Sequence, residues 1–455
     1  MFLSRKSVDA TKGPLVKLII AFAIPLIIST LVQSFFNAVD LAVLGAMTED
    51  SSAVASVGAT TSIIHLIVNT FVGLSSGAKI IIARQIGMKE TDSIKKTAST
   101  SLITAVSIGF VVAIVGFIFA PDFMHLVNCP SKCFDGAVIY LRIYFLGAPA
   151  ILLYNYASAI ITTSGDTQRP LYYIIAGGIL NAALNVILCL ILPKKVIAVA
   201  VATIAAQTLG AFLAVRRLSV MEGNCRLDLR NLSFSPSAFK KILRYGAPIS
   251  LSAMLYPLAN LQIQSSINSF GVAATAGNSA ASTIDAIPSA FGVSFGSAAS
   301  VFVGQNLGAN NKQRVRQSFS LCILFGVLST ALLGSFIYST GEFWLSIIVK
   351  KDTEAISYGM IRMFYITLFY FVAAANQSLS HTIQAYGHPA ASTIISAVGV
   401  LLFRVIWMKL IYPRYQTFDN LMLCFLVSWL TVMAANILTL SIITAKYKKG
   451  IYKKI

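Results

Sequence analysis

The feature that limits this chain most is the length of its uninterrupted apolar runs. Residues 98–120, 171–192 and 421–443 each continue for more than twenty positions without a single charge. A helix of roughly 20 apolar residues matches the hydrocarbon thickness of a bilayer, so such runs are read as membrane-spanning helices. A membrane β-barrel is excluded, because its strands alternate in polarity over about ten residues. Composition excludes an ordinary soluble enzyme and a disordered chain alike. Only 11% of the 455 residues are charged, and the mean hydropathy is +0.78, where soluble domains are about one quarter charged.

Twelve spans are expected, at 15–44, 54–83, 98–120, 138–163, 171–192, 196–214, 239–268, 273–303, 318–338, 355–383, 392–412 and 420–443. A net charge of +19 raises the question of nucleic acid, but the basic residues lie between the runs and form no aromatic-laced patch. They read instead as topology signals. Arg5, Lys6, Lys12 and Lys17 precede the first span, and the loops on the same side hold Arg84, Lys89, Lys95, Lys96, Arg169, the stretch Arg216 to Arg244, Lys312, Arg314, Arg316 and the tail Lys446 to Lys454. Both termini are therefore expected in the cytoplasm. The first residues lack a cleavable signal and a lipidation motif, so the first span is expected to direct insertion. Cys129 and Cys133 share an outside loop, where a disulfide and two idle thiols are both open readings.

The polar stretch after Arg216, with Glu222-Gly223-Asn224 and Ser233-Phe234-Ser235-Pro236, divides the chain near its middle. Sliding one half over the other puts Pro25 on Pro248 at a displacement of 223. Ala83-Arg84-Gln85-Ile86-Gly87 falls on Gly304-Gln305-Asn306-Leu307-Gly308 at 221, and Ser164-Gly165 on Tyr386-Gly387 at 222. A near-constant displacement marks a duplicated unit. The fold class expected is an all-α polytopic membrane protein, twelve transmembrane helices in two pseudo-twofold six-helix bundles. The divisions are 1–220 for the N-terminal lobe, 221–238 for a cytoplasmic linker and 239–455 for the C-terminal lobe. Six helices is an even number, so the copies run parallel, with a binding cavity expected between them as in alternating-access transporters.

Charge inside lipid is costly and marks candidate chemistry. Asp40 ends the string Gln33-Ser34-Phe35-Phe36-Asn37-Ala38-Val39-Asp40 late in the first span, with Asn37 one turn earlier on the same face. Asn181 and Asn185 stack four apart in the fifth span, and Thr203 follows in the sixth. Oxygen atoms of that kind suit a proton or Na+ when a carboxylate supplies the charge, and equally suit helix-to-helix hydrogen bonding. Asp285, in Ser282-Thr283-Ile284-Asp285-Ala286-Ile287-Pro288, is read with Asn37 as a substrate or second proton site. Pro288 is expected to kink that helix, with Lys79 and Arg404 as counter-charges. The four histidines have no metal-ligand spacing. No phosphate loop, nucleophile elbow or Cys/His dyad is present, so neither ATP-driven nor covalent chemistry has a site. An ion gradient is the remaining driver, with no enzyme activity, no cofactor and no metal beyond Na+ at Asp40.

The first-span string with Pro25, Gln33, Asn37, Asp40 and Gly45, the turn Val303-Gly304-Gln305-Asn306-Leu307-Gly308-Ala309 and the turn Gly165-Asp166-Thr167-Gln168-Arg169-Pro170 resemble the multidrug and toxic compound extrusion (MATE) family over essentially the whole chain. The resemblance implies a two-lobed antiporter that expels cationic or amphipathic organic compounds, drugs included, in exchange for Na+ or H+. The length and lack of extensions lead to the expectation of a bacterial inner membrane, and the protein is expected to be a monomer whose partners are small organic molecules and the lipid bilayer, with no nucleic acid. Asp40 looks like the family's first-helix carboxylate, and Asn181 and Thr203 resemble its amide and hydroxyl companions. Asn185 departs from the pattern, standing where many members carry Asp. Asp285 resembles a frequent Glu. The alternative within the same superfamily is a flippase for lipid-linked saccharide or peptidoglycan precursors, which needs a cationic cavity.

Overall fold

The computed structural model describes residues 8–48, 51–223, 225–350 and 352–449. Arg5, Lys6, Asn224 and the tail lysines beyond residue 449 lie outside them. Among the described residues every regular element is helical. That is what lipid demands, since no water is there to satisfy a backbone N–H or C=O that an α-helix would bond internally.

The first half of the chain forms α1 (Leu15–Ala46), α2 (Ser51–Met88), α3 (Thr91–Leu126), α4 (Ser131–Leu146), α5 (Ala148–Thr163), α6 (Gln168–Ile191) and α7 (Lys195–Val220). The second half forms α8 (Pro236–Asn268), α9 (Val272–Ile284), α10 (Ala286–Gly308), α11 (Lys312–Ser339), α12 (Gly341–Ile348), α13 (Thr353–Arg362), α14 (Tyr370–Ala385), α15 (Pro389–Ser396), α16 (Phe403–Ile406) and α17 (Phe418–Lys448). Wide π turns at Met363–Thr367, Ala397–Leu402 and Trp407–Ile411 carry the chain through the interruptions. Ten described helices are long and apolar enough to cross a membrane, and α4 with α5, bent by 49°, makes an eleventh. With the 33 residues of α8, each of the twelve expected spans has a helical counterpart. The protein is a multi-pass all-α membrane protein.

The pattern on α3 shows how these helices pack. Its buried positions include Ala98, Leu102, Ala105, Gly109, Ala113, Gly116 and Ala120, a stripe spaced by three and four. Phe110, Val111, Ile114, Val115 and Ile118 point outward and are exposed. This reverses the soluble rule: small residues face protein so that helices approach closely, and large apolar ones face lipid. At Gly116 an added Cβ would fall 2.0 Å from the ring of Phe145, so α4 lies directly against the α3 backbone there.

Two compact units follow from the contacts. One takes in Ile28–Ser250 with residues 8 and 9, the other Ala10–Ile27 with Leu251 and the described residues after it. The long helices α1 and α8 are each divided between the units. The duplication read from the sequence is repeated in the backbone. Left-handed residues occur at Lys89 and Asn310, at Asn128 and Lys350, and at Gly165 and Gly387, displacements of 221, 222 and 222. The break between α4 and α5 at Gly147, where Pro149 lacks an N–H, maps by 222 onto Phe369, where the chain re-enters α14.

The expected kink in the eighth span is found three residues upstream of its expected cause. The helix is interrupted at Asp285, between α9 and α10. Pro288 cannot donate to the carbonyl four residues before it, that of Ile284, so the break opens at that carbonyl.

Candidate functional site

The two asparagines of α6 are one turn apart and share a face, which turns both toward α1 and α7. Asn185 Nδ2 donates to Asp40 Oδ1 at 2.7 Å and to Asn181 Oδ1 at 3.2 Å. Asn181 Nδ2 donates to Thr203 Oγ1 at 3.4 Å, and the Thr203 hydroxyl donates to the carbonyl of Val199 at 2.9 Å. Asp40, Asn181, Asn185 and Thr203 thus stand in one continuous chain of hydrogen bonds across three helices. Asn185 is fully buried, and its Oδ1 has no hydrogen-bond partner among the described residues. Leaving a buried acceptor unpaired costs free energy, about 1–3 kcal/mol for a neutral group. Tyr140 of α4, also buried, places its phenol beside Thr203.

Asp40, Asn181 and Thr203 border a cavity of about 90 Å³ whose walls also include Gln33, Phe36 and Asn37 of α1. That is room for roughly three waters at ~30 Å³ each, and far below the ~300 Å³ at which drug-sized pockets begin. The cavity suits an ion or proton with its hydration, not an organic cargo. One wall depends on Gly178. A Cβ there would fall 1.9 Å from the Phe36 ring, so Phe36 lies on bare α6 backbone.

Asn37 and Asp285, grouped on sequence as one substrate or second proton site, belong to different compact units. Asn37 lines the Asp40 cavity in the first unit, as its place three residues before Asp40 on one helix requires. Asp285 belongs to the second unit.

Asp285 is also not paired with Lys79 or Arg404. Arg362 of α13 reaches its Oδ2 with Nη2 at 2.9 Å and Nε at 3.2 Å, while the Thr367 hydroxyl donates to Oδ1 at 2.5 Å. Arg362 Nη1 donates to Asn278 Oδ1 at 2.8 Å. Both charged side chains are about nine-tenths buried, so the carboxylate is saturated from within. The π turn makes this possible. Residues five apart on an α-helix diverge by about 140°, and the wider turn brings Arg362 and Thr367 back to one side. Arg404 is separately buried, its guanidinium 4.3 Å above the Phe425 ring and donating to Asn260 Oδ1 at 2.7 Å. Sequence reasoning missed Arg362, although a lone cation inside the otherwise apolar 355–383 stretch was a signal that a buried acid had to meet it. Cys129 and Cys133 are free thiols with sulfurs 3.8 Å apart.

The MatE family model matches residues 25–187 and, a second time, 248–408. The chain belongs to the MatE family. The two matches begin 223 residues apart and end 221 apart, the displacement already seen in sequence and backbone, so the resemblance read from the motifs holds. Within reach of this MatE chain is the Bacillus subtilis probable multidrug resistance protein YoeA, 27% identical over 388 residues and matched across 83% of each chain. The probable multidrug resistance protein YpnP of the same organism is 24% identical over 408 residues, 88% of this chain and 89% of its own. A solved MOP superfamily transporter from Pyrococcus furiosus has the same fold, with a TM-score of 0.88 at 20% identity over 99% of this chain and 100% of that one.

The other two MatE motifs do structural work at helix ends. In Gly165-Asp166-Thr167-Gln168-Arg169-Pro170, Gly165 is left-handed, and a Cβ there would fall 2.1 Å from the carbonyl oxygen of Val8. Asp166 accepts from the backbone N–H of Arg169 and pairs with the guanidinium groups of Arg169 at 3.1 Å and Arg217 at 3.6 Å. In Gly304-Gln305-Asn306, the Gln305 side chain accepts from the Ala10 N–H at 3.2 Å and Asn306 donates to the Ala10 carbonyl at 3.0 Å. Both peptide groups of Ala10 are held.

Proposed function

We propose that this protein is a multidrug exporter that couples outward movement of cationic or amphipathic organic compounds to inward movement of H+ or Na+, by alternating access and without enzymatic chemistry. We place it as a monomer in the bacterial inner membrane, both termini cytoplasmic. The observation that carries this reading is the Asp40 carboxylate at a cavity of about 90 Å³, joined through Asn185 to Asn181 and Thr203. The names of the Bacillus subtilis relatives support the choice of cargo class.

The donor set can be tested against each ion. One carboxylate with amide and hydroxyl oxygens is a hard-oxygen set that fits Na+. Asn185 turns its N–H, not its oxygen, toward Asp40, so the oxygens facing the cavity for Na+ are those of Asp40, Asn181 and Thr203. A proton needs the Asp40 carboxylate alone, and we take H+ as the first ion to test. A carboxylate that is neutral in one state and charged in the other gives the ion a differential affinity, which alone can shift a conformational equilibrium. A flippase for pyrophosphate-linked lipids is less well supported, since no Lys or Arg lines this cavity, Arg362 is neutralised by Asp285 and Arg404 faces an aromatic ring.

The test is efflux of a cationic dye or a fluoroquinolone in inside-out vesicles, with Na+ and proton gradients imposed separately. Transport is expected with a proton gradient and is expected to vanish in Asp40→Asn at unchanged expression. Full ion-coupled transport by that variant would remove Asp40 from the mechanism.

A further inference from the structure

The segment between α7 and α8 is not a loose tether. Met221, Cys225 and Leu227 are buried in the core of the first unit, Leu227 N donates to the Leu218 carbonyl at 2.9 Å, and Ser235 N donates to Thr100 Oγ1 at 3.0 Å. Asp228 is occupied within the segment, accepting from Arg230 N at 3.0 Å and Asn231 Nδ2 at 2.7 Å. Pinned this way, the segment and the first two turns of α3 enclose a cleft of about 940 Å³.

Lys95, Lys96, Arg226 and Arg230 line the cleft, against Asp92 and Asp228. The side chains of Lys95, Lys96 and Arg230 are exposed and form no ion pair among the described residues. The N-terminal turn of α3, with Thr91 and Asp92, opens into the same space, adding the positive end of a 36-residue helix. An anion is the complementary ligand. The surroundings narrow its source: α3 and α7 are long and apolar enough to span a membrane, Lys95 and Lys96 stand three and two residues before the uncharged run 98–120, within reach of a headgroup layer, and Leu229 stands exposed at 39% in the same cleft. Cations next to outward apolar side chains are the pairing that holds an anionic lipid, the phosphate on the basic groups and the acyl chain along the apolar ones.

We propose that the cleft between the start of α3 and the α7–α8 segment binds the phosphate headgroup of an anionic membrane lipid. This goes beyond the transport reading and does not depend on it.

The experiment is native mass spectrometry of the purified full-length protein with phosphatidylglycerol, with phosphatidylcholine of equal chain length, and with inorganic phosphate as competitor. Phosphatidylglycerol is expected to be retained and phosphatidylcholine lost. The triple variant Lys95→Gln/Lys96→Gln/Arg230→Gln is expected to weaken phosphatidylglycerol binding by about 100-fold, as three basic residues at an anionic surface would. Lys312→Gln/Arg316→Gln, on a different basic face, is expected to leave it intact. Equal retention of the two lipids, or an unaltered triple variant, overturns the site. Displacement by equimolar inorganic phosphate overturns the lipid as its ligand.

Discussion

At the scale of single residues, the two intramembrane acids are handled in opposite ways. Asp40 accepts from one amide N–H and borders a cavity, whereas Asp285 is enclosed by a guanidinium and a hydroxyl. Asn185→Asp sets a second carboxylate beside the first, and Na+ stimulation of efflux is expected to rise; an unchanged Na+ response in vesicles would separate position 185 from the ion. Asp285→Asn leaves Arg362 buried without its counter-charge and is expected to cost about 3–5 kcal/mol, read as a fall in the detergent-solubilised unfolding midpoint. Asp285→Leu with Arg362→Met removes both charges and is expected to recover most of that loss. Helical spacing made the pairs Asn37/Asp40 and Asn181/Asn185 legible, and the resemblance to the family joined Asn181, Asn185 and Thr203 to Asp40. The partner of Asp285 was not legible, because residues 77 apart meet only through tertiary packing.

At the scale of elements, the ion pair depends on how closely α9 and α13 cross. At Gly277 an added Cβ would fall 2.0 Å from the carbonyl oxygen of Ala355, and Gly359 faces the Gly277 carbonyl in turn. Gly277→Ala must push the helices apart, and a destabilisation of about 1–3 kcal/mol is expected. Thermal unfolding beside Ala280→Gly, a substitution on the same helix that adds no bulk, checks whether the crowding is the cause. Helix existence was plain from apolar length. The breaks were harder to see where no proline marks them, because a helix interrupted through a π turn has the same hydropathy as a straight one. Pro149 announces its break two residues after Gly147, whereas Met363–Thr367 contains no residue that signals one. Tyr140 and Arg362, separated by 222 residues, occupy the same place in the repeat, and each faces its own unit's polar cluster.

At the scale of the whole molecule, the proposed orientation has a direct check. Ser233 lies on the α7–α8 segment and is exposed, while five of the six native cysteines are buried. A Ser233→Cys variant in a Cys129→Ser background, which removes the one native thiol that is not buried, is expected to react with a membrane-impermeant maleimide only after the cells are permeabilised; labelling of intact cells would invert the topology. The duplication was readable from three sequence landmarks, but its depth was not. Lys89 corresponds to Asn310, and Asn128 to Lys350, so the side chains at these left-handed joints differ while their φ angles agree within ten degrees. Non-glycine residues there bear a steric penalty of about 1–2 kcal/mol each, and the ancestral geometry has survived it in both copies. Inheritance fixed the skeleton at its joints and left the interior furnishing free to drift. One descendant half could therefore keep an acid open to exchange while its twin locked its own away.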